Sequence, residues 1–357
     1  MPDTETNNEL EREAANAELL DRALPTSIGI ELEMHQHDTA KAARALTKRK
    51  LNVSGQEWKG DGDRDDNYWV VKTDASAGVE VVSKILRTYR DLEEVVTAAD
   101  ALIKAGFTCA DECGFHVHIG VEDLNAAERE HFTRFFVHFE DAFFDLAPTR
   151  RGNNYTKPLK MQILKDLRHG KGWAAWTCQP ERYYWMNGKA WAAHRTMEFR
   201  LMTGSLNFKH IQGWMCTLLY IYQLASRRQF QDVNAHEKSG ATGAKLFDEM
   251  MDVLRLKNAT YAEHTCAGRA KDWLNNRRDD VLLDKDSKRR ERRRRLKEAW
   301  AGGKPFVPVV VGHTKYGDHD DPNKTGKVSH HGIQTISAAE AREAEADDAE
   351  VAEETAD

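Results

Sequence analysis

The sequence has few cysteines and prolines and no long apolar run. Five cysteines and eight prolines occur in 357 residues. The cysteines are scattered and odd in number, and Cys109 and Cys113 form a C-x-x-x-C pair without a second pair, which argues against a disulfide framework and against a zinc knuckle. We therefore expect reduced thiols and a cytoplasmic protein. No apolar stretch reaches transmembrane length, and the acidic, polar N-terminus does not resemble a signal peptide.

Two common nucleotide-binding motifs are also missing. The sequence contains neither a Walker loop nor the glycine-rich fingerprint of dinucleotide-binding folds, so neither fold can supply a nucleotide site. The net charge of −6 argues against a general affinity for nucleic acids or anionic membranes. With 40% hydrophobic and 31% charged residues, the composition is that of a globular protein with long polar stretches.

What the sequence does have is a set of strands with one charged face. Residues 28–34 read Ile-Gly-Ile-Glu-Leu-Glu-Met, so apolar residues alternate with Gly29, Glu31 and Glu33. This period of two predicts a strand with one buried face. Glu31 and Glu33 project from the other face roughly 7 Å apart, and they repel each other unless they are solvated or bridged by a cation. A strand with a wet outer face is the alternative interpretation.

Three later segments repeat this design. Val-Glu-Val-Val places Glu80 in a short strand, after a turn that holds Asp74. Gly-Phe-His-Val-His-Ile places His116 and His118 on one strand face, and Thr-Met-Glu-Phe-Arg-Leu does the same for a Glu and an Arg. Each has a structural alternative, since Asp in turns usually satisfies the backbone and a Glu–Arg pair can be an ordinary ion pair.

The strands alternate with segments of helical periodicity. We predict helices over residues 40–50, 88–105 and 208–230, and another after Asn125. The last of these carries a broad stripe of phenylalanines, which we interpret as core rather than as a cofactor site.

The character of the chain changes after about residue 232. We predict a tail or short helix at residues 1–25, a catalytic domain at 26–232, a helical, basic extension at 233–300 and a largely disordered tail at 301–357. Within the extension, residues 285–297 hold nine basic and two acidic residues. This run is either a solvated helix face or a contact for nucleic acid or an acidic partner.

If the four strands share a sheet, one of its faces carries carboxylates, imidazoles and a guanidinium. Carboxylates cannot be gathered in a cleft without cations, and carboxylates with a histidine suit Mg²⁺ or Mn²⁺. An arginine beside them suits phosphate. The pattern therefore predicts metal-dependent nucleotide chemistry.

The order of the motifs makes this prediction more specific. Gly-Ile-Glu-Leu-Glu is followed by Asp-Ala-Ser with Val-Glu-Val-Val-Ser, then by Gly-Phe-His-Val-His-Ile, Arg-Gly-Asn-Asn-Tyr and Arg-Thr-Met-Glu-Phe-Arg. Over roughly residues 26–230, this set resembles the amidoligase family, relatives of glutamine synthetase and glutamate–cysteine ligase. The resemblance implies an α+β fold with a curved antiparallel sheet, flanked by helices, that binds ATP and divalent ions. It also implies a ligase that forms an amide through an acyl phosphate.

The resemblance assigns roles to residues at matching positions. The implied ligands of Mg²⁺ or Mn²⁺ are Glu31, Glu33, Glu80, His118 and Glu198. The implied contacts to ATP are His116, His118, Arg151 and Arg200. Arg200 is further implied to stabilise the transferring phosphate, with Arg195 as a looser match to a catalytic arginine. Because an amine must attack as the free base, Asp74 is our candidate to accept its proton.

The substrates we expect are a carboxylate and an amine, each a small molecule or a peptide. Two other classes stay open. A metal-dependent hydrolase could use the same carboxylates and histidines with water, but it would need neither ATP nor Arg200. A non-catalytic protein could instead act through residues 285–297 on nucleic acid or another partner.

Deletion of residues 285–357 separates the last class from the others. We expect the truncated protein to keep its ligase turnover, because the residues implied in catalysis all precede the deletion. A binding protein that acts through the basic run would lose its function on the same deletion. The measurement is turnover and partner binding for the full and truncated chains.

Overall fold

The computed structural model describes residues 20–54, 66–74, 77–110, 112–159, 177, 182–227, 229, 241–262 and 265–279. The chain divides into two compact units, Met1–Val281 and Leu282–Asp357, and the second lies entirely outside the described residues. The predictions for the basic run and for the disordered tail therefore concern residues outside the described part.

The first unit is built on one antiparallel sheet of seven strands. In chain order these are β1 (Ala23–Met34), β2 (Val70–Asp74), β3 (Gly78–Val82), β4 (Leu86–Thr88), β5 (Gly114–Gly120), β6 (Met186–Asn187) and β7 (Thr196–Thr203). Their order across the sheet is β2-β3-β1-β5-β7-β6, and β4 pairs with the early part of β1. The sheet is open, since no pairing between its end strands β2 and β6 is seen among the described residues.

Helices connect and cover the strands. They are α1 (Thr39–Lys48), α2 (Tyr89–Lys104), α3 (Ala126–His138), α4 (Glu140–Leu146), α5 (Ala190–His194), α6 (Phe208–Ser226) and α7 (Gly243–Val253), with a further helical segment at 266–279. A single turn of 3-10 helix, Pro148–Arg150, follows α4. None of the helices in the described ranges combines the length and apolarity needed to cross a membrane.

Strand β1 lies in the interior of the sheet and has one buried apolar face, and the alternating sequence predicted this buried face. Its apolar residues are almost completely buried, whereas Glu31 on the opposite face is only partly buried. Helix α6 packs across β1 and β5 on the apolar face. The apolar face therefore fixes the strands, and the polar face is left to carry chemistry.

An aromatic cluster fills the space between β7 and the helices. Phe199 of β7 lies 4.6 Å from Phe136 of α3, measured between ring centroids, and 6.3 Å from Trp214 of α6. The phenylalanine stripe is thus core, as the sequence predicted. The helix predicted from this stripe is two helices in the structure, α3 and α4, because the first ends at Phe139.

The architecture confirms the predicted mixture of helices and antiparallel strands. The predicted helices 40–50, 88–105 and 208–230 correspond to α1, α2 and α6. The first strand begins earlier than predicted, at Ala23 rather than at Ile28, because β4 pairs with its N-terminal part. The order of strands across the sheet came only with the structure.

We expect Phe199→Ala to destabilise the fold strongly. Phe199 is fully buried, and replacement of a buried phenylalanine by alanine costs about 3–5 kcal/mol, since the cavity is only partly refilled. Phe208→Ala is the control, because Phe208 is 46% exposed and its loss should change stability by no more than about 0.5 kcal/mol. Denaturant unfolding of both variants tests this, and equal losses would contradict the assignment of the core.

Candidate active site

The register of the sheet brings the predicted charged residues together. Glu31 of β1 lies directly opposite His116 of β5, and Glu33 lies opposite Glu80 of β3. His118 of β5 lies opposite Glu198 of β7. Directly opposed residues in antiparallel strands have Cβ atoms about 4.5–5.5 Å apart, so four strands contribute to one polar cluster.

His116 is the centre of this cluster. Its Nδ1 lies 3.0 Å from Glu31 Oε2 and 3.7 Å from Glu198 Oε1, and its Nε2 lies 3.5 Å from Glu33 Oε1. The ring is buried and touches carboxylates from two different strands. The imidazole therefore joins the carboxylates of β1 to that of β7.

His118 flanks the cluster on the next row of the sheet. Its Nδ1 lies 3.1 Å from the hydroxyl of Thr196, and its Nε2 lies 3.4 Å from Glu31 Oε1 and 4.0 Å from Glu198 Oε1. Within the described part of the chain, this Nε2 is buried and makes no well-aligned hydrogen bond. A buried nitrogen of this kind is available to a further ligand.

A β-bulge in β7 sets the position of Arg200. The register shifts between Phe115 and Val117, so that two residues of β7, Arg200 and Leu201, lie opposite His116 alone. Arg200 Nη1 donates a hydrogen bond to Glu198 Oε1, and its Nε lies 3.4 Å from the carbonyl oxygen of Tyr155. Bulges are a common means of redirecting a side chain beside an active site.

Three of these side chains form a ligand set that suits a divalent cation. One ligand atom each from Glu31, His116 and Glu198 can be chosen so that all three lie within 4.8 Å of one another. Two carboxylates and one imidazole suit Mg²⁺ or Mn²⁺. This group shares two residues, Glu31 and Glu198, with the ligand set predicted from sequence. It has His116 where the prediction named His118, and among the described residues it does not include the predicted ligands Glu33 and Glu80.

The electrostatics of the cluster favour the ionised forms of Glu31 and Glu198. Burial alone would raise the pKa of Glu31, but the neighbouring imidazoles of His116 and His118 outweigh this effect and hold that pKa well below its usual value. Burial would also raise the pKa of Glu198, but nearby positive charge, chiefly that of Arg200, outweighs this effect and lowers that pKa. The same carboxylates, Glu31 and Glu198, raise the pKa of His118 against the effect of its burial. The charged forms are therefore stabilised mutually.

Glu80 differs from the other carboxylates. Burial and the charge of Glu31 raise its pKa well above the usual value, and Lys72 opposes this shift only in part. Lys72 Nζ lies 3.1 Å from Glu80 Oε1. Lys72 was not predicted as a site residue, because one lysine in a short strand gives no distinctive signal.

Arg150 is a second residue that the sequence analysis missed. It is only 2% exposed, and its Nη2 lies 3.3 Å from the carbonyl oxygen of Arg200. Its Nε and Nη1 have no hydrogen-bond partner among the described residues. Burial lowers the pKa of Arg150 to about 10, although the charge of Glu33 opposes this shift.

Asn187 supports the far side of the cluster. Its Nδ2 donates a hydrogen bond of 2.6 Å to Glu198 Oε2, which fixes the carboxylate between the amide and Arg200. Nothing in the local sequence separates Asn187 from other loop asparagines, and only its pairing with Glu198 across β6 and β7 identifies it.

Three predicted residues make their contacts elsewhere. Arg151 lies 3.2 Å from Asp141 and 3.5 Å from Asp145, on the surface of α4. Arg195 ends α5 in a left-handed conformation with φ of 56°, and its guanidinium lies over the ring of Trp191. Asp74, opposite Gly78 at the end of β2, accepts a hydrogen bond of 2.9 Å from the amide of Ala77.

Comparison with known families gives one match. A family model described as "Putative amidoligase enzyme" matches residues 24–221, which is more than half of the chain. The match includes β1, β3, β5 and β7 and therefore every strand that contributes to the cluster. No curated protein sequence matches the chain significantly.

Two solved structures show a weaker similarity. A protein described as a novel glutamine synthase homolog has 14% identity and a TM-score of 0.37, and the match covers 76% of this chain and 70% of that one. The ligase PafA, solved in complex with the prokaryotic ubiquitin-like protein Pup, has 11% identity and a TM-score of 0.34. That match covers 76% of this chain and 65% of the other chain. Both scores are low, and we draw nothing further from these two structures.

Gly114→Ala should disrupt the ligand set without a change of charge. A Cβ atom at this position would lie 2.4 Å from His116 Nε2 and 3.1 Å from Glu33 Oε2, so the imidazole has to move. We expect Mn²⁺ affinity to fall about 10- to 100-fold, the usual effect of disturbing the support of a metal ligand. Titration of the protein with Mn²⁺, followed by electron paramagnetic resonance, measures this.

Gly29→Ala is the matched control for Gly114→Ala. Gly29 also lies on the polar face, opposite His118, but a Cβ atom there would meet only His118 Cβ, at an ordinary 3.7 Å. Mn²⁺ affinity and melting temperature should stay close to those of the wild type. Equal losses in the two variants would argue against a specific role for the close contact at Gly114.

Proposed function

The chain belongs to the amidoligase family and is a carbon–nitrogen ligase that forms amide bonds, and we propose that it does so with ATP and a divalent cation through an acyl phosphate. The observation that carries this proposal is that Arg200 contacts Glu198, which belongs to the group of potential metal ligands formed by Glu31, His116 and Glu198. In this proposal, the open antiparallel sheet is the trough of a glutamine synthetase-like catalytic fold, and its polar face binds the reactants.

The residues present fit a bound cation. Glu31, His116 and Glu198 would hold the ion, while Glu33 and His118 lie within hydrogen-bonding range of the same imidazole or carboxylates. When bound, Mg²⁺ or Mn²⁺ neutralises the phosphate oxygens and orients them for transfer. The buried Nε2 of His118, which makes no aligned hydrogen bond in the described residues, supports this part of the proposal.

In this proposal, Arg200 stabilises the transferring phosphoryl group. Its guanidinium is largely buried and shares Glu198 with the ligand set, so it would lie at the edge of any phosphate bound there. Burial alone would lower the pKa of Arg200, but the charge of Glu198 raises it, so the guanidinium stays fully charged. A fixed cation in a site of low dielectric constant favours the negative charge that develops during transfer.

The acceptor amine needs a base, and the assignment of Asp74 to this role stays a proposal. Asp74 lies on the same face of β2 as Lys72, toward the strand end, and its side chain closes the turn to Ala77. Arg151 and Arg195 stay predictions as phosphate or substrate contacts. Their guanidinium groups lie over or beside other side chains in this structure, so either role requires a change of conformation.

The substrates are proposed by chemistry alone. A site that activates a carboxylate as an acyl phosphate accepts a carboxylate from a small molecule or from a peptide, and an amine completes the amide. A metal-dependent hydrolase would use the same ligand set, but it gives no reason for Arg200 to lie beside Glu198. Dependence on a nucleotide separates the two reactions.

The direct test uses the full-length protein with ATP, Mg²⁺ and a panel of carboxylates. We expect release of ADP that depends on the carboxylate, and formation of a hydroxamate when hydroxylamine replaces the amine, because hydroxylamine traps acyl phosphates. The control omits the nucleotide. Cleavage of an amide or ester without ATP, together with the absence of hydroxamate, would favour the hydrolase instead.

We expect Arg200→Lys to lower turnover about 100- to 1000-fold, because lysine cannot hold a phosphoryl group with a planar, bidentate fork. ATP binding and the melting temperature should stay near the wild-type values. The measurement is ADP formation and thermal unfolding, side by side.

The control for Arg200→Lys is Arg134→Lys, in which the arginine pairs with Glu130 on the surface of α3. Its turnover should match that of the wild type. If Arg200→Lys lowers the melting temperature while the folded fraction turns over normally, Arg200 is a structural ion-pair partner and the catalytic role is wrong.

A further inference from the structure

Lys72 lies among the carboxylates of the polar face, on the side away from His116. Three residues of neighbouring strands form one row across the sheet: Lys72 of β2 lies opposite Glu80 of β3, and Glu80 lies opposite Glu33 of β1. The Lys72 ammonium is 3.1 Å from Glu80 Oε1, and the two side chains are 22% and 7% exposed. The ammonium is therefore held largely out of solvent against a buried carboxylate.

Among the described residues, the oxygen atoms on this side of the cluster are partly engaged in other contacts. In the row on one side, Glu31 lies opposite Val82, and Val82 lies opposite Val70, so the pair has apolar neighbours on β2 and β3 there. In the row on the other side, Asp74 lies on the same face of β2 as Lys72, and its side chain accepts a hydrogen bond from the amide of Ala77. One oxygen of Glu33, Oε2, already accepts the amide hydrogen bond of Gly114. A hard divalent cation takes six or more oxygen ligands, and the carboxylate of Glu80 already lies against a positive charge.

We infer that the Lys72 ammonium takes the place of a second divalent cation, so that the protein alone binds one ion, at Glu31, His116 and Glu198. This inference rests on the proposed function, because it concerns the metal content of that same site. Like charges gathered on one face need counter-charges, and a covalently attached ammonium supplies one permanently at Glu80. The two ends of the cluster are thus neutralised differently, one by an exchangeable ion and one by a side chain.

Counting bound ions tests this inference in the full-length protein without nucleotide, because ATP would bring its own cation. Mn²⁺ is added to metal-free protein, and the free ion is followed by electron paramagnetic resonance. The wild type should bind one tight ion, and His116→Ala should lose it. Lys72→Met should keep that ion and bind a second one at Glu33 and Glu80. Its affinity for this second ion should be at least about tenfold higher than that of the wild type, because one unit of nearby positive charge is gone.

Lys84→Met is the matched control. Lys84 is similarly exposed, at 21%, and pairs with the carboxylates of Asp91 and Glu94 on a different part of the molecule. This variant should bind one ion, like the wild type. The double variant Lys72→Met with Glu80→Gln should also return to one ion, because the second set has lost a carboxylate.

The outcomes separate this inference from the proposed function. Two tight ions in the wild type would overturn the inference while leaving the metal-dependent ligase intact, and this result does not depend on how any variant folds. A folded Lys72→Met protein that still binds one ion would overturn it as well. A wild type that binds no ion would overturn the proposed metal site and the inference together.

Discussion

The structure depends on the neutralisation of negative charge on one face of a sheet. Glu31, Glu33, Glu80 and Glu198 come from three strands and are mostly buried, and such a group of carboxylates would repel and protonate if it stood alone. The surrounding basic side chains offset this repulsion: they are Lys72, His118 and Arg200. Since each of these side chains comes from a different strand, the correct register of the whole sheet is a condition for the stability of the site.

The opposite face of the same strands supplies the energy that maintains this register. A slip of one residue would turn every apolar side chain of β1 and β7 toward the charged face, so burial against α6 and the aromatic cluster fixes the pairing. The bulge at Arg200 and Leu201 is the one departure from regular pairing between β5 and β7, and it lies at the centre of the cluster. The bulge and the residues proposed to be functional therefore coincide.

The sequence could predict the strands with a charged face, because the alternation of apolar and charged residues is visible within each segment, even when the neighbouring strands are unknown. For this reason it singled out Glu31, His116, Glu198 and Arg200, which the sheet brings into one cluster, and the order of the motifs suggested the family. It could not separate Arg150 from Arg151, since adjacent residues share a motif and only the 3-10 turn decides which one is buried. The contributions of Lys72 and Asn187 depend on pairing between strands, which local patterns do not encode.

The central position of β1 has a consequence for how the protein folds. Its partners are distant along the chain: Glu31 and His116 are 85 residues apart, and Thr26 reaches Gly120 across 94 residues. The chain loses entropy when it closes loops of this length, and this loss comes before any strand pairing stabilises the sheet. Such a sheet therefore forms slowly, in contrast to local helices such as α2 and α6. The charged cluster can assemble only after these late steps. Binding of a cation would then report the fully formed native state, and early folding intermediates would not bind one.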